Sequence, residues 1–294
     1  MICRKFLHIL AFSLFLLLLL AQTSCEKFSG DQTVPAYLRI DSIRLTTDYS
    51  TQGTAIHNIT DAWVYIDGEL IGTFQLPATF PVLKQGTHTL MVFPGVKKDG
   101  IAATRISYPF YQEINKTINL VPDQTPLDVG TLSTTYATKA KFIWKEDFDD
   151  IAITLDTTKA TTEKIKQTPS DSPLTLEGLH SGIVELDTVG ATFEGVSHST
   201  FTIPNSAVFL EMNFNINTTL IVGVYVTTFG IINPPSPIMT LLPTNDKWKK
   251  IYIDLTTTLN AYTGATKFRV YYYLKNTTGD HYRILLDNIK VLSF

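Results

Sequence analysis

The chain has 294 residues, 44% of them hydrophobic, with a formal net charge of −3. That length admits one or two ordinary domains with sizeable cores. Its acidic and basic residues are interspersed without a basic stripe, which excludes nucleic acid as a partner, because phosphate contact needs clustered Lys and Arg.

The first predicted element is a leader. Arg4 and Lys5 precede an apolar run from Phe6 to Ala21 that only His8 and Ser13 interrupt. A basic start, a short apolar stretch and small residues before a cut site make a secretory signal. The run falls short of the ~20 residues needed to span a bilayer. Ala21-Gln22-Thr23-Ser24-Cys25 resembles the relaxed lipoboxes of Bacteroidetes lipoproteins, with Gln22 departing from the usual small or aliphatic residue. The resemblance implies lipid on Cys25, cleavage after residue 24 and membrane attachment, most simply at the outer membrane. The alternative is ordinary cleavage that leaves a free thiol. Cys3 leaves with the leader, so Cys25 is alone in the mature chain and has no internal disulfide partner. Residues 25–34 read as a polar tether.

From Pro35 onward Thr, Val, Ile, Tyr and Phe dominate short segments broken by Gly, Pro, Asn and Asp. This pattern predicts an all-β chain of two β-sandwich domains, 35–121 and 139–294. In the first, Ala62 to Ile66 alternates into Asp67-Gly68, a hairpin turn in which both residues need positive φ. Val64 and Ile66 face one way, Trp63 and Tyr65 the other. Together with Pro77, Pro81, Gly86 and His88, this string resembles the PEGA-type domain of bacterial envelope proteins, a small sandwich without catalytic chemistry. The resemblance ends after His88, where Pro94 to Gly100 replaces the family's usual ending. Residues 122–138 hold Asp123, Pro126, Asp128 and Gly130 and read as a linker.

The second block opens with Phe142 to Phe148 and closes with Leu286-Asp287-Asn288-Ile289-Lys290-Val291. This pairing resembles the jelly-roll, carbohydrate-binding-type modules of extracellular glycan-active proteins. One helix is predicted, around Thr158 to Gln167. Period-two alternation gives several strands an aromatic and polar outer face. Phe209, Glu211, Asn213 and Asn215 oppose the apolar face of Val208 to Ile216; Tyr225 points outward from its own strand. Trp248, Tyr252 and Asp254 lie opposite Ile251, Ile253 and Leu255, and Arg269, Tyr271 and Tyr273 lie opposite Phe268, Val270 and Tyr272. If these strands are neighbours, Trp248, Tyr252, Arg269, Tyr271, Tyr273, Glu211 and Asn213 form a surface suited to sugars, with rings for C–H faces and polar arms for hydroxyls. The same residues suit a protein or interdomain contact, or plain cross-strand pairing on an open sheet.

Asp287 shares parity with Leu285, Ile289 and Val291, so its carboxylate is expected inward. An unpaired buried charge costs several kcal/mol. The jelly-roll resemblance implies a structural calcium joined by Asp147 and Asp287, with Glu146 as a third ligand; acceptance of backbone hydrogen bonds is the alternative. Asp41-Ser42-Ile43, Asp156-Thr157-Thr158 and Asp187-Thr188-Val189 resemble Bacteroidetes O-glycosylation sites at Ser42, Thr157 and Thr188. No nucleophile elbow, P-loop, dinucleotide fingerprint or zincin motif occurs, and His57, His88, His180, His198 and His281 lack ligand spacing. The expectation is a non-enzymatic envelope lipoprotein docking on an outer-membrane protein assembly. The alternative is a surface lipoprotein that captures polysaccharide.

Overall fold

The computed structural model describes residues 34–294, and the leader and Cys25 lie outside them. The described chain is nearly all β, in two sandwiches. In the first, a five-stranded sheet orders β4 (Glu69–Gln75), β3 (Asp61–Ile66), β6 (Gly86–Lys97) and β7 (Arg105–Ser107), with β8 (Ile114–Leu120) also on β6. Against it lie β5 (Ala78–Val82), β1 (Ala36–Ile40) and β9 (Leu127–Asp128), and the pair β10 (Thr131–Thr134) and β2 (Ser42–Leu45). Between the layers Leu38, Ile40, Val64, Ile66, Leu90 and Val92 are wholly buried. Each such side chain contributes about 1.5–3 kcal/mol by leaving water.

The Asp67-Gly68 hairpin forms as the sequence predicts, with φ of 52° and 81°. Asp67 also explains the later histidine. Its Oδ1 accepts the Thr89 N–H at 3.0 Å and its Oδ2 lies 2.6 Å from His88 Nδ1. Those bonds to Thr89 and His88 hold the Asp67 carboxyl below its usual range.

Residues 122–138 depart from the linker expectation. They contain β9 and β10, which pair in parallel with β1 and β2 and complete the first sandwich. Strands of two and four residues between Pro and Gly leave no alternation long enough to read.

The second sandwich packs a six-stranded sheet on a seven-stranded one. The first orders β13 (Lys166–Gln167), β14 (Gly182–Leu186), β23 (Tyr282–Ser293), β17 (Val208–Ile216) and β21 (Lys249–Asp254), with β11 (Lys141–Glu146) on β23. The other orders β12 (Leu155–Thr157), β15 (Thr192–Ser197), β22 (Ala265–Lys275), β18 (Leu220–Thr228) and β19 (Ile231–Ile232). Within it β16 (Phe201–Thr202) pairs with β22 and β20 (Ser236–Leu241) with β18. Leu210, Met212, Val222, Val224, Phe268, Val270 and Ile289 fill the space between. Two short helices, α1 (Tyr49–Gln52) and α2 (Thr256–Asn260), complete the elements among the described residues.

The helix expected around Thr158 to Gln167 does not form. Threonine hydroxyls and amides there bond the backbone of β15 instead: Thr158 N and Thr161 Oγ1 donate to Glu194 O, and Glu194 N donates to Thr161 Oγ1 at 2.9 Å. β-branched residues lose little by making such an edge and gain little from a helix.

The two sandwiches share a third apolar cluster. Tyr108, Phe110, Tyr111 and Tyr136 of the first pack on Phe209, Tyr252 and Leu292 of the second. The Tyr108 ring meets Tyr252 at 4.9 Å and Phe209 at 5.5 Å, edge to face. Edge strand β21 is also capped by the β6–β7 turn, where Asp99 N donates to Tyr252 O at 2.8 Å and Asp99 Oδ1 accepts the Asp254 N–H at 2.9 Å. An uncovered edge would be a site of unwanted pairing.

Candidate functional site

The residues expected to share one surface fall on opposite sheets. Tyr252, Glu211 and Asn213 belong to the six-stranded sheet facing the first sandwich, and Trp248 immediately precedes its strand β21; Arg269, Tyr271 and Tyr273 belong to the seven-stranded sheet. Alternation within each strand gives a correct inner and outer face, but strand order, which alternation does not encode, separates them.

Glu211 and Tyr252 are therefore interface residues, not open binding groups. Glu211 is wholly buried, and its oxygens accept the hydroxyls of Tyr108 at 2.8 Å and Tyr136 at 2.9 Å. Lys250 Nζ lies 3.1 Å from Glu211 Oε2 as an ion pair, but without hydrogen-bond alignment, so its N–H donors remain uncommitted. Burial pushes the Glu211 carboxyl up. Lys250, Lys290 and the two tyrosine hydroxyls outweigh that and hold it below its usual range. Lys290 donates to Thr54 O at 2.8 Å, and burial and Lys250 lower it to about 7. Tyr252 hydroxyl meets Tyr111 hydroxyl at 3.0 Å and accepts the Asn58 N–H at 2.9 Å.

Beside this interface the sandwiches leave a cleft of about 930 Å³, within the ordinary range of ligand pockets. Trp248 and Asn213 line it. Thr244 holds the preceding turn to β17 through Ile216 N–H and Asn215 Oδ1, while Asn245 and Asp246 turn the chain at φ of 55° and 56°, and this delivers Trp248 to the start of β21. Asn213 is 2% exposed, and its Oδ1 has no hydrogen-bond partner. A buried carbonyl oxygen left unpaired costs about 1–3 kcal/mol.

The opposite wall comes from the first sandwich: His57 and Asn58 from one loop, Lys97 from the end of β6, and Asp99 and Ile101 from the β6–β7 turn. His57 Nδ1 accepts the Ile59 N–H at 3.2 Å, which puts the proton of the neutral ring on Nε2. Burial, then Lys250, lowers the His57 pKa. None of these five residues was singled out as a ligand group from the sequence. The available signal was the departure of Pro94 to Gly100 from the PEGA-type pattern, and that segment is the one that reaches across to β21.

On the other sheet Tyr271 is only 3% exposed and is not an open platform. It lies over Gly223, where a Cβ would stand 2.6 Å from Tyr271 Cε1. Tyr225 crosses it edge to face at 5.5 Å and donates to Glu194 Oε1. Arg269 is held by Ser197 O at 2.6 Å and Asp156 Oδ2 at 3.2 Å. Tyr273 is half-exposed in the same row as Glu194 and Ile221.

Asp287 is buried, but on the outer face and not in the sandwich core as its parity suggests. Ile284, Leu286, Ile289 and Val291 are the core residues of β23. Asn288, at φ 49°, is the extra residue of a bulge that inverts parity midway along the strand. The Asp287 carboxylate accepts Ser181 Oγ at 2.6 Å and Asn288 N at 2.7 Å. Burial pushes it up to about 7, with Asp149 and Glu177 adding to the rise. Asp147 accepts the Tyr49 hydroxyl at 3.2 Å, and Glu146 is spent on Phe148 N and Thr154. Among the described residues no three or more His, Cys, Asp or Glu side chains gather as a metal site. Of the glycosylation candidates, Thr188 is exposed in a turn, while Ser42 and Thr157 are half-buried in strands and Ser42 Oγ bonds Thr131 Oγ1 at 3.0 Å.

No protein-family model matches the chain, and no curated protein matches it. Solved structures similar to about half of it include carbohydrate-binding modules and an α-L-arabinofuranosidase. The xylan-binding family 22 module of Paenibacillus barcinonensis Xyn10C is 14% identical over 51% of this chain and 99% of its own, with a TM-score of 0.37. A family 29 carbohydrate-binding module is 11% identical over 53% and 88%, at 0.34. A family 61 module, solved with β-1,4-galactotriose, is 13% identical over 48% and 87%, at 0.32. At such identity and score the likeness is one of β-sandwich form alone.

Proposed function

We propose that this is a lipid-anchored, non-catalytic glycan-binding protein of the outer membrane, with its ligand seated in the cleft between the two sandwiches. The carrying observation is a cleft of ligand size between the sandwiches whose lining includes Trp248 and Asn213. An amide beside an indole suits a ligand that offers hydroxyls on one side and C–H groups on the other. Binding proteins need no more chemistry than this, and the sequence holds no catalytic signature. The other reading, docking on an outer-membrane assembly, would use the same outer face of β17 and β21, much of which packs against the protein's own first sandwich.

The test is isothermal titration of the mature chain with oligosaccharides first selected on a glycan array. Trp248→Ala is expected to weaken binding by about tenfold or more with an unchanged melting temperature, the scale of a lost aromatic anchor. Retention of no glycan, or affinity indifferent to Trp248, would sink the proposal.

A further inference from the structure

We propose that the cleft selects anionic saccharides, sugars carrying a carboxylate or sulfate, over neutral ones; this rests on the glycan reading above. The charges on its walls are Lys97, Lys249, Lys250, His57 and Asp99. Two of them are answered from within the protein. Lys250 has Glu211 at 3.1 Å, and Asp99 has Lys98 at 3.9 Å as well as the Asp254 N–H. Lys97 and Lys249 are not: among the described residues neither has a carboxylate within 4.0 Å. They come from different sandwiches, one from the end of β6 and one from the start of β21, so both border the cleft only because the sandwiches pack together.

The remaining lining narrows the ligand further. A bare inorganic anion would satisfy the lysines and leave the apolar wall of Trp248, Ile101 and Leu242 unused, the last two 53% and 68% exposed. A neutral sugar would lie on that wall and leave the two ammonium groups without a counter-charge. An anionic sugar does both, since its C–H face lies on Trp248 and its acidic group accepts from Lys97 and Lys249.

His57 supplies an internal reporter. Burial and Lys250 hold it neutral near pH 7, and Asn58, Lys97, Asp99, Asn213, Thr240 and Lys249 are the other polar residues that line the cleft. An acidic group brought into the cleft offsets the lysine field and raises the His57 pKa. A neutral sugar leaves that field in place.

The experiment titrates the mature chain with three probes of matched length: an oligogalacturonate, a sulfated galactan oligomer and a neutral galactan oligomer. The acidic probes are expected to bind about tenfold more tightly than the neutral one, the scale of two partly exposed ion pairs, with the gap closing as salt rises. Lys97→Gln with Lys249→Gln is expected to narrow the gap, and NMR is expected to show His57 titrating at higher pH in the acidic complexes. Preference for one acidic probe over the other identifies carboxylate or sulfate as the group read. Equal or tighter binding of the neutral oligomer overturns charge selection and leaves the glycan reading standing. An acidic preference untouched by the double substitution, or a His57 titration that does not move, also overturns it. If none of the three binds and the array retains nothing, the glycan reading falls and this proposal with it.

Discussion

Replacing Glu211 with glutamine keeps the side chain's shape and removes its charge. In the folded chain that charge faces Lys250 at 3.1 Å, with Lys290 also close enough to act on it, all three nearly or wholly out of water. Removing one member of a buried ion pair typically costs about 3–5 kcal/mol, because the partner stays behind uncompensated. The glutamine amide nitrogen also fails to accept one of the two tyrosine hydroxyls now bonded at 2.8 and 2.9 Å, which adds about 1 kcal/mol or more. Part of this is relieved because Lys290, already lowered to about 7, gives up its proton more readily without Glu211 beside it. The expected loss is therefore about 3–5 kcal/mol at pH 7, read by urea unfolding with tyrosine and tryptophan fluorescence. Glu211 titrates below its usual range, so its contribution is complete above about pH 4.3 and disappears as pH falls through the folded value. The gap between wild type and variant should shrink in acid accordingly. In a double-mutant cycle, adding Lys250→Met should recover much of the loss. A single-variant loss below about 1 kcal/mol, or a double variant as damaged as the sum of the singles, would refute the ion-pair account of this interface.

Two buried groups give opposite pH slopes. Asp287 is raised to about 7, so the folded state holds its proton longer and stability falls as pH rises from about 4 to about 7; Lys290 is lowered to about 7, so stability rises from there toward about 10. Melts across that range should show Asp287→Asn flattening the acid-side fall and Lys290→Met the alkaline-side rise, each by up to about 1.4 kcal/mol per pH unit; an unchanged curve in either variant contradicts the assignment. Cys25→Ser should move the protein from the detergent phase to the aqueous phase, and mass spectrometry of wild type should show a diacylglyceryl-modified amino terminus. Recovery of an unmodified thiol from the wild-type protein would end the lipoprotein proposal.

Period-two alternation was enough to read the all-β class, the two apolar faces of β17 and β18, and the Asp67-Gly68 hairpin. Each is set by neighbours a few residues apart. The same alternation misjudged Asp287, because Asn288 adds one residue and reverses parity in the middle of β23. It also missed β9 and β10, whose strand character comes from pairing with β1 and β2, nearly ninety residues earlier.

The candidate site was legible only in fragments. Asn213 on its strand and Trp248 at the entry to β21 declare themselves by alternation as outward residues, and the sequence determines that much alone, since burial of one face forces the other outward. Tertiary structure decided which outward residues meet. It placed β17 and β21 beside each other and β22 on the opposite sheet, then laid the first sandwich over the former pair. Solvation energy accounts for the difference: one strand's pattern records which side leaves water, but not what covers the side that remains. Glu211 and Tyr252 are covered by Tyr108, Tyr111 and Tyr136, while Trp248 and Asn213 face the gap where that cover ends.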